Sequence, residues 1–205
     1  MSKIESNKKQ KEESLLDAAF TLFTSKGINK TSISDIVAKS GVAKGTFYLY
    51  FKDKYDIRNM LIAHKASQLF QNAENDLQKT NITDLVEEII FIADNIINQF
   101  CTNQSLLMFI SKNLSWGIFK SSITNTSGDD INFNNIYQRI LNHKDYTFKD
   151  PEVMLFMIIE LTSSTCYSSI LYDEPVSIDK LKPYLYETIR NIIKQHICSD
   201  SSSEL

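Results

Sequence analysis

Hydrophobic residues recur every three or four positions along most of the chain, the spacing that places them on one face of a helix. Leu16, Ala19, Phe20 and Phe23 follow this spacing, and Gly27 stands where a glycine ends such a helix. The chain has only 5 glycines and 3 prolines, which favours long helices, and it contains no convincing strand pattern. The sequence therefore predicts an all-α fold of about nine helices.

Residues 32–51 are predicted to form two short helices joined by a tight turn. Ser32 is placed to cap the first helix, and Asp35 completes a capping box in which Asp replaces the usual Glu or Gln. Gly41 readily takes the left-handed conformation that stops one helix and aims the next. Phe47 and Phe51 give the second helix a buried side. This is the pattern of a helix-turn-helix, whose second helix enters the major groove of DNA.

The segment from Thr31 to Lys54 resembles the DNA-binding segment of the TetR (tetracycline-repressor) family of bacterial transcription regulators. The resemblance begins upstream, with the Leu15–Phe23 segment and the Lys26-Gly27 pair. It covers about the first third of the chain and is specific in order and spacing, whereas the rest matches only in length and helical character. It implies a homodimeric regulator of double-stranded operator DNA, most simply a repressor, with a small and often hydrophobic effector.

Candidate DNA contacts cluster in the helix-turn-helix. Lys44 can reach a guanine acceptor or a phosphate, and Gly45 lets the backbone approach DNA closely at a cost in helix propensity. Ala43 replaces a frequent family serine or threonine, and Leu49 either packs on thymine methyl groups or covers the core of the head. The family's DNA-contacting positions match at Ser32, Lys44, Gly45, Thr46, Tyr48, Tyr50 and Lys54.

Charge is distributed unevenly along the chain. The net charge is −3, but residues 1–65 hold 12 Lys and Arg against 7 Asp and Glu, whereas residues 66–205 hold 10 against 18. A basic first third on an acidic remainder is typical of a nucleic-acid-binding head on a non-binding body. Residues 1–10 include several lysines and are predicted to form a mobile arm, which either touches DNA or is solvated.

A long fourth helix is predicted to begin at Asp53, a good N-cap, and to continue to about Gln78. Such a helix is roughly 38 Å long. It would join a DNA-binding domain at residues 9–69 to an effector-binding and dimerisation domain at residues 70–198. Residues 199–205 are predicted to be a disordered tail.

The remaining helices are predicted from apolar stripes, caps and breakers. Val153–Ile159 is the longest nearly uncharged apolar run and is too short to cross a bilayer. With no secretory leader and three widely spaced cysteines, the chain is expected to be cytoplasmic. The predicted segments are a helix opened by Asn81–Thr83, helices over 104–116, 132–142 and 151–172, a loop over 121–130, and a last helix capped by Ser177.

The body is rich in aromatic residues and methionine, and the family resemblance implies that some of these line an effector pocket. The candidates are His64, Phe91, Phe100, Met108, Phe109, Trp116, Phe119, Phe156 and Tyr167. The segment 160–169 is small and semi-polar, which permits close helix approach, and the resemblance implies a four-helix dimer interface there. Its candidate residues are Ser163, Cys166, Ser169, Leu181, Leu185 and Ile189.

Catalytic motifs find little support. Residues 41–46 superficially resemble a phosphate loop, but the lysine precedes the glycine and no strand leads in. No cysteine pair has the spacing of a metal site. We therefore expect no enzyme activity, no cofactor and no metal. Two alternatives stay open: a DNA-binding or nucleoid-organising module whose body binds a protein, and a helical enzyme working in the body cavity.

Overall fold

The computed structural model describes residues 3–113, 116–117 and 132–198, and nine α-helices lie within these ranges. In chain order they are α1 (Lys3–Lys26), α2 (Ile33–Ser40), α3 (Lys44–Tyr50), α4 (Lys54–Leu77), α5 (Leu85–Thr102), α6 (Gln104–Asn113), α7 (Asn132–Leu141), α8 (Pro151–Tyr172) and α9 (Ile178–His196). Within the described ranges, extended backbone pairs only at an isolated antiparallel bridge between Phe148 and Ile197. The predicted all-α fold is confirmed. The predicted loop over 121–130 and the predicted tail lie outside the described residues.

The turns of the head are built as the sequence predicts. Gly27 and Gly41 end α1 and α2 with φ of 84° and 71°, a region that L side chains rarely adopt. The backbone N–H of Asp35 donates to Ser32 Oγ at 3.1 Å, and the backbone N–H of Ser32 donates to Asp35 Oδ2 at 2.8 Å. The predicted capping box is therefore present. Lys26 Nζ lies 2.8 Å from the same carboxylate oxygen, which fastens the end of α1 to the start of α2.

Two predicted helix starts are wrong. The first helix begins at Lys3, so residues 3–10 are not an irregular arm. Their lysine, glutamate and glutamine residues are good helix formers, and the Tyr50 hydroxyl donates to the carbonyl oxygen of Lys8 at 3.2 Å. The fifth helix begins at Leu85, after Asn81–Thr83, because Asp84 is the N-cap and accepts a hydrogen bond from the Glu87 N–H at 3.0 Å.

Helix α4 connects the head (α1–α3 and the first half of α4) to the body (the rest of the described chain). Asp53 caps it as predicted, accepting from the N–H groups of the first turn. Its 24 residues span about 36 Å at 1.5 Å per residue. Near its C-terminal end, buried Glu74 accepts hydrogen bonds from both terminal nitrogens of Arg139 at 2.7 and 2.9 Å. This ion pair ties α4 to α7.

The hydrophobic core of the head continues into the body. Buried residues of α1–α4 form one cluster with Phe100, Leu107, Phe109 and Ile110, which belong to α5 and α6. The Phe109 ring stacks on Phe23 at 6.4 Å and meets a second α1 ring, Phe20, edge-on at 5.5 Å. The connection between head and body is therefore a packed aromatic contact as well as the continuous helix α4.

Helix α8 is buried on one face and open on the other. Met154, Leu155 and Ile158 lie in the core, whereas Val153 and Met157 are 50% and 39% exposed. The helix has 22 residues and a window of mean hydropathy 1.4, so among the described residues it alone is long and apolar enough to cross a bilayer. This corrects the shorter apolar segment identified from sequence. Core helices of soluble proteins meet the same criteria, and α8 packs against α5, α6 and α9.

A polar cluster ties α9 to α5. Lys182 Nζ lies 2.7 Å from Asp94 Oδ1 and 2.6 Å from Asn98 Oδ1, and the Tyr186 hydroxyl donates to Asp94. Burial tends to raise the pKa of Asp94, but the hydrogen bonds from Lys182 and Tyr186 outweigh it and hold that pKa below its usual value. Ser177 occupies the predicted N-cap position of α9 but forms no side-chain capping bond.

Candidate nucleic-acid interface and apolar cavity

The recognition helix α3 is held by one side and presents the other to solvent. Phe47 is fully buried and packs on Phe51, with the ring centroids 5.5 Å apart. On the opposite side Lys44 is exposed, and the side chains of Tyr48 and Leu49 are 53% and 80% exposed. The Tyr48 ring meets the Phe47 ring edge-on, with the centroids 5.4 Å apart, but more than half of its side chain stays exposed. This outer side of α3 can therefore meet a groove.

Gly45 lies in the first turn of α3, and nothing in the described protein requires a glycine there. A Cβ built on it meets no heavy atom within 4 Å, and its φ is not in the left-handed region. A glycine inside a helix costs about 1 kcal/mol relative to alanine. This cost is consistent with a requirement outside the chain, namely close approach of a DNA backbone.

Other predicted contacts already have partners inside the head. Lys54 Nζ donates to the carbonyl oxygens of Ile28, Asn29 and Thr31 at 3.1, 3.3 and 3.3 Å, so it closes the loop between α1 and α2. The Ser32 hydroxyl is exposed but takes part in the capping box.

Two other predicted positions of this segment differ in exposure. Thr46 is half-buried. Ala43 is exposed at the N-cap of α3 and forms no side-chain capping bond, since a methyl group cannot accept one.

The first turns of α1 lie beside the end of the recognition helix, because the Tyr50 hydroxyl bonds to the Lys8 backbone. The side chains of Lys8, Lys9 and Lys11 are exposed. The sequence predicts this segment as a mobile arm that either contacts DNA or is solvated. In the structure it is a helical basic edge adjoining α3.

In the body, an apolar cavity of about 90 Å³ lies between α4, α5, α6 and α8. Among the residues that the structure describes, no charged side chain lines it, and Thr162 and Ser163 carry the hydroxyl groups of the wall. The lining residues are Ala66, Leu69, Phe70, Ile89, Ile92, Ala93, Ile96, Phe100, Ile110, Leu155, Ile158, Ile159, Thr162 and Ser163. Leu69, Phe100 and Ile110 also belong to the hydrophobic cluster of the head, so the wall of the cavity and the core of the head share side chains.

Part of the head matches a known protein family. Residues 15–60 match the sequence model of a family described as bacterial regulatory proteins, tetR family. The head of this chain is therefore similar to the DNA-binding part of that family. The matched residues run from the middle of α1 into the first turns of α4, and they include the whole recognition helix.

Two curated proteins are similar to part of this chain. The HTH-type transcriptional regulator YvdT of Bacillus subtilis (strain 168), itself uncharacterized, is 38% identical over 89 residues, or 41% of this chain and 46% of that protein. The fatty acid metabolism regulator protein of the same organism is 36% identical over 72 residues, 35% of this chain and 37% of that protein. The chain thus aligns with less than half the length of these relatives.

The fold extends the similarity beyond the head. The crystal structure of the regulator FadR from Bacillus subtilis in complex with stearoyl-CoA has a TM-score of 0.62 at 19% identity, covering 86% of this chain and 96% of that one. At this identity the likeness establishes a TetR-like fold.

Of the predicted effector-pocket residues that the structure describes, Phe100 lines the cavity and the others lie elsewhere. Phe109 packs on α1, and Trp116 packs on the exposed Phe156 with the ring centroids 5.3 Å apart. Phe119 lies outside the described residues. The other candidates are placed as follows: His64 contacts Gln68 on α4, Phe91 packs on the body core, Met108 is exposed, and Tyr167 packs on Tyr172. The described wall of the cavity is mainly aliphatic. The aromatic content of the sequence therefore could not indicate which residues form it.

Most of the predicted dimer-interface residues lie in the core of the protomer itself. Cys166, Ser169, Leu185 and Ile189 are at most 3% exposed. Ser163 lines the cavity and Leu181 packs against the body core. Helices α8 and α9 do have an exposed side, but it does not carry the predicted residues. It carries Val153 and Met157 on α8 and Tyr184 on α9.

Proposed function

We propose that this chain is a homodimeric DNA-binding transcription regulator of the bacterial cytoplasm, most simply a repressor, which a small hydrophobic effector releases from its operator. The observation that carries the proposal is the exposed Lys44–Tyr48 surface on a TetR-family head whose core shares side chains with an apolar cavity. Lys44 would contact a base edge or phosphate, and the Tyr48 hydroxyl a phosphate.

The DNA-binding part is tested by gel shift on the duplex upstream of the chain's own coding sequence, at low ionic strength. Lys44→Ala and Tyr48→Ala should each weaken binding by roughly tenfold or more, since a base contact is worth about 1–3 kcal/mol. Lys79→Ala is the matched control, because Lys79 is exposed just beyond the far end of α4. Wild-type affinity in both head variants would contradict the proposal.

The exposed face of α8 supports the proposed dimer. Val153, Met157, Glu160 and Ser164 follow one another at helical spacing and are exposed, and Tyr184 of α9 is 73% exposed. A second copy related by a two-fold axis would cover this face with its own α8 and α9. Two recognition helices would then require half-sites about one helical turn of DNA apart.

The oligomeric state tests this interface by size-exclusion chromatography with light scattering. The double variant Val153→Glu/Met157→Glu should be a monomer, because it places carboxylates in an apolar contact. Met108→Glu changes a methionine of similar exposure on α6 and should leave the dimer intact. A monomeric wild-type protein would overturn the interface, and would favour a protein partner on this face.

Release requires an effector that binds one head arrangement better than another. Ligand pockets are typically 300–1,000 Å³, so a cavity of about 90 Å³ must widen to hold more than a fragment. Ile110 lines the cavity, and its neighbour Phe109 packs on α1. A ligand that displaces α6 would therefore move the aromatic contact that positions the head.

A long-chain acyl-CoA is a specific effector candidate. It is suggested by the TetR-like fold shared with FadR bound to stearoyl-CoA, and by the head's similarity to a fatty acid metabolism regulator. Because the described residues that line the cavity carry no charge, the acyl chain would enter and the CoA moiety would stay outside. Stearoyl-CoA should raise the melting temperature and reduce operator binding, whereas free CoA should do neither. Equal effects of the two compounds would exclude binding through the acyl chain.

A further inference from the structure

The hydroxyl of Thr162 differs from those of four other helical threonines. Thr21, Thr24, Thr165 and Thr188 each donate to the carbonyl oxygen four residues earlier, at 2.7–2.9 Å. Thr162 lies on the buried face of α8, is 8% exposed, and its Oγ1 has no hydrogen-bond partner among the described residues. A buried hydroxyl without a partner is destabilising, and native proteins rarely keep one without a reason.

The position of Thr162 suggests that reason. It lines the apolar cavity, where its neighbours one turn earlier are Ile158 and Ile159. A bound water needs two to four polar partners, and apart from Thr162 the described part of the lining contains one other hydroxyl-bearing side chain, Ser163. The wall is therefore too apolar to hold water well, but it is suited to a hydrocarbon that brings one polar group.

We infer that Thr162 anchors the polar group of an otherwise aliphatic effector, and that this group is uncharged: a hydroxyl, or the carbonyl of a ketone, ester or thioester. The inference rests on the proposed function, in which this cavity holds the effector. A carboxylate in the same place would be buried without a cation, because no Lys, Arg or His among the described residues lines the cavity. Thr162 is thus a specificity-determining residue that selects a hydrogen-bonding group, and the uncharged wall around it disfavours an ionised one.

The binding test uses the full-length protein without DNA, and measures dissociation constants by calorimetry. The probes are butan-1-ol, hexan-1-ol and octan-1-ol, each paired with the carboxylate of the same carbon number. Wild-type protein should bind each alcohol at least about tenfold more tightly than its carboxylate, because burying an unpaired charge costs more than 1.4 kcal/mol. Affinity should rise with chain length as more methylene groups are buried.

Thr162→Val removes the hydroxyl and keeps the shape of the side chain. It should weaken alcohol binding by about three- to tenfold, the value of one neutral hydrogen bond. Thr165→Val is the matched control, since that hydroxyl already donates to the Leu161 carbonyl oxygen at 2.7 Å and the residue does not line the cavity. Thr162→Ser retains a hydroxyl and should keep the preference for alcohols.

The thermal stability of the free variants gives a second readout. Thr162→Val should melt at or above the wild-type temperature, because it removes an unsatisfied group. Thr165→Val should melt at or below it.

Three results would overturn the inference: carboxylates that bind as tightly as alcohols, a Thr162→Val variant with wild-type alcohol affinity, or no binding of any probe by wild-type protein. Each is distinguishable from failure of the proposed function, which is read separately as loss of wild-type binding to the upstream duplex. A protein that binds the duplex and is released by octanoate, whose carboxylate must enter the cavity, but not by octan-1-ol would retain the proposed function and refute the role of Thr162.

Discussion

In the head, the side chains proposed to bind a partner stand outside the packed helices, whereas in the body they enclose a space between helices. Tyr48 and Leu49 are more than half exposed, while Ile92 and Ile158 of the cavity wall are 5% exposed. A charged duplex is bound through exposed hydrogen-bonding groups, and an apolar ligand through burial. The two regions therefore respond to opposite changes, since loss of a surface side chain affects the head and loss of packing affects the body.

The two regions meet at α6 and the end of α5. Phe100 and Ile110 belong both to the cavity wall and to the cluster that includes the head core, and Phe109 packs on α1. If this connection is rigid, a change in the shape of the cavity changes the position of the head. The variants below test this connection and the difference between the two regions.

Phe109→Ala should have the largest effect. Phe109 is 4% exposed and contacts two rings of α1, so truncation should lower the free energy of unfolding by about 3 kcal/mol, measured by urea denaturation. It should also weaken the effector's control over operator binding, because the ring that joins α6 to the head is gone.

The control is Phe156→Ala, which removes a ring of the same size that is 40% exposed. Its cost should be about 1 kcal/mol, because less apolar surface is returned to water. If Phe109→Ala were as mild, or left the effector response intact, the aromatic contact would not be the connection between the regions.

Glu74→Gln should come next and should act on the body. Glu74 is 4% exposed and forms a bidentate pair with Arg139. Breaking a fully buried pair costs about 3–5 kcal/mol, but the Arg139 side chain is 38% exposed and can regain water, so we expect about 2 kcal/mol.

Glu187→Gln provides the exposed counterpart of this pair. Its carboxylate lies 4.0 Å from Arg190 and its side chain is 64% exposed, so the loss should be below about 0.5 kcal/mol. Equal losses in the two variants would show that burial of Glu74 contributes nothing to the attachment of α4 to α7.

The head could be predicted because its determinants are local. Ser32, Asp35 and Gly41 fix the ends of α2 through contacts within a few residues, and all three act in the structure as their residue types indicate. The exposed face of α3 then follows from helical spacing, once Phe47 is assigned to the core. What sequence could not show is that Lys54 is used inside the head, because its acceptors lie 23 to 26 residues away.

The body could be predicted only as a set of helices. Its cavity is built from four helices between residues 66 and 163, and which face of each points inward depends on how they cross. The dimer candidates show the same limit, since Cys166 and Leu185 lie on apolar stripes that the protomer itself buries. Similarly, Thr162 could not be distinguished from Thr165 by sequence. In the structure the Thr162 hydroxyl lines a cavity and has no partner among the residues described, whereas the Thr165 hydroxyl is bonded.

Gly45→Ala should separate stability from DNA binding in the head. The free energy of unfolding should rise by up to about 1 kcal/mol, because alanine favours the helix and its Cβ has open space. Operator affinity should fall, because the methyl group occupies the surface that approaches DNA. Gly41→Ala is the matched control and should destabilise, since its φ is 71°. A Gly45→Ala variant with unchanged or tighter operator binding would show that DNA does not approach this turn closely.

The smallest effect is expected from pH, through Asp35 in the head. The pKa of Asp35 lies far below its usual value, chiefly because of the Lys26 ammonium and next because the Ser32 N–H and hydroxyl donate to it. Such a carboxylate stabilises the fold fully above its unfolded pKa of about 4, and this contribution is lost as pH falls toward the folded pKa. Wild-type protein should therefore melt above Asp35→Asn by a constant margin at neutral pH, and the margin should shrink below about pH 4. Parallel melting curves at all pH values would show that the ionised capping box does not stabilise the head.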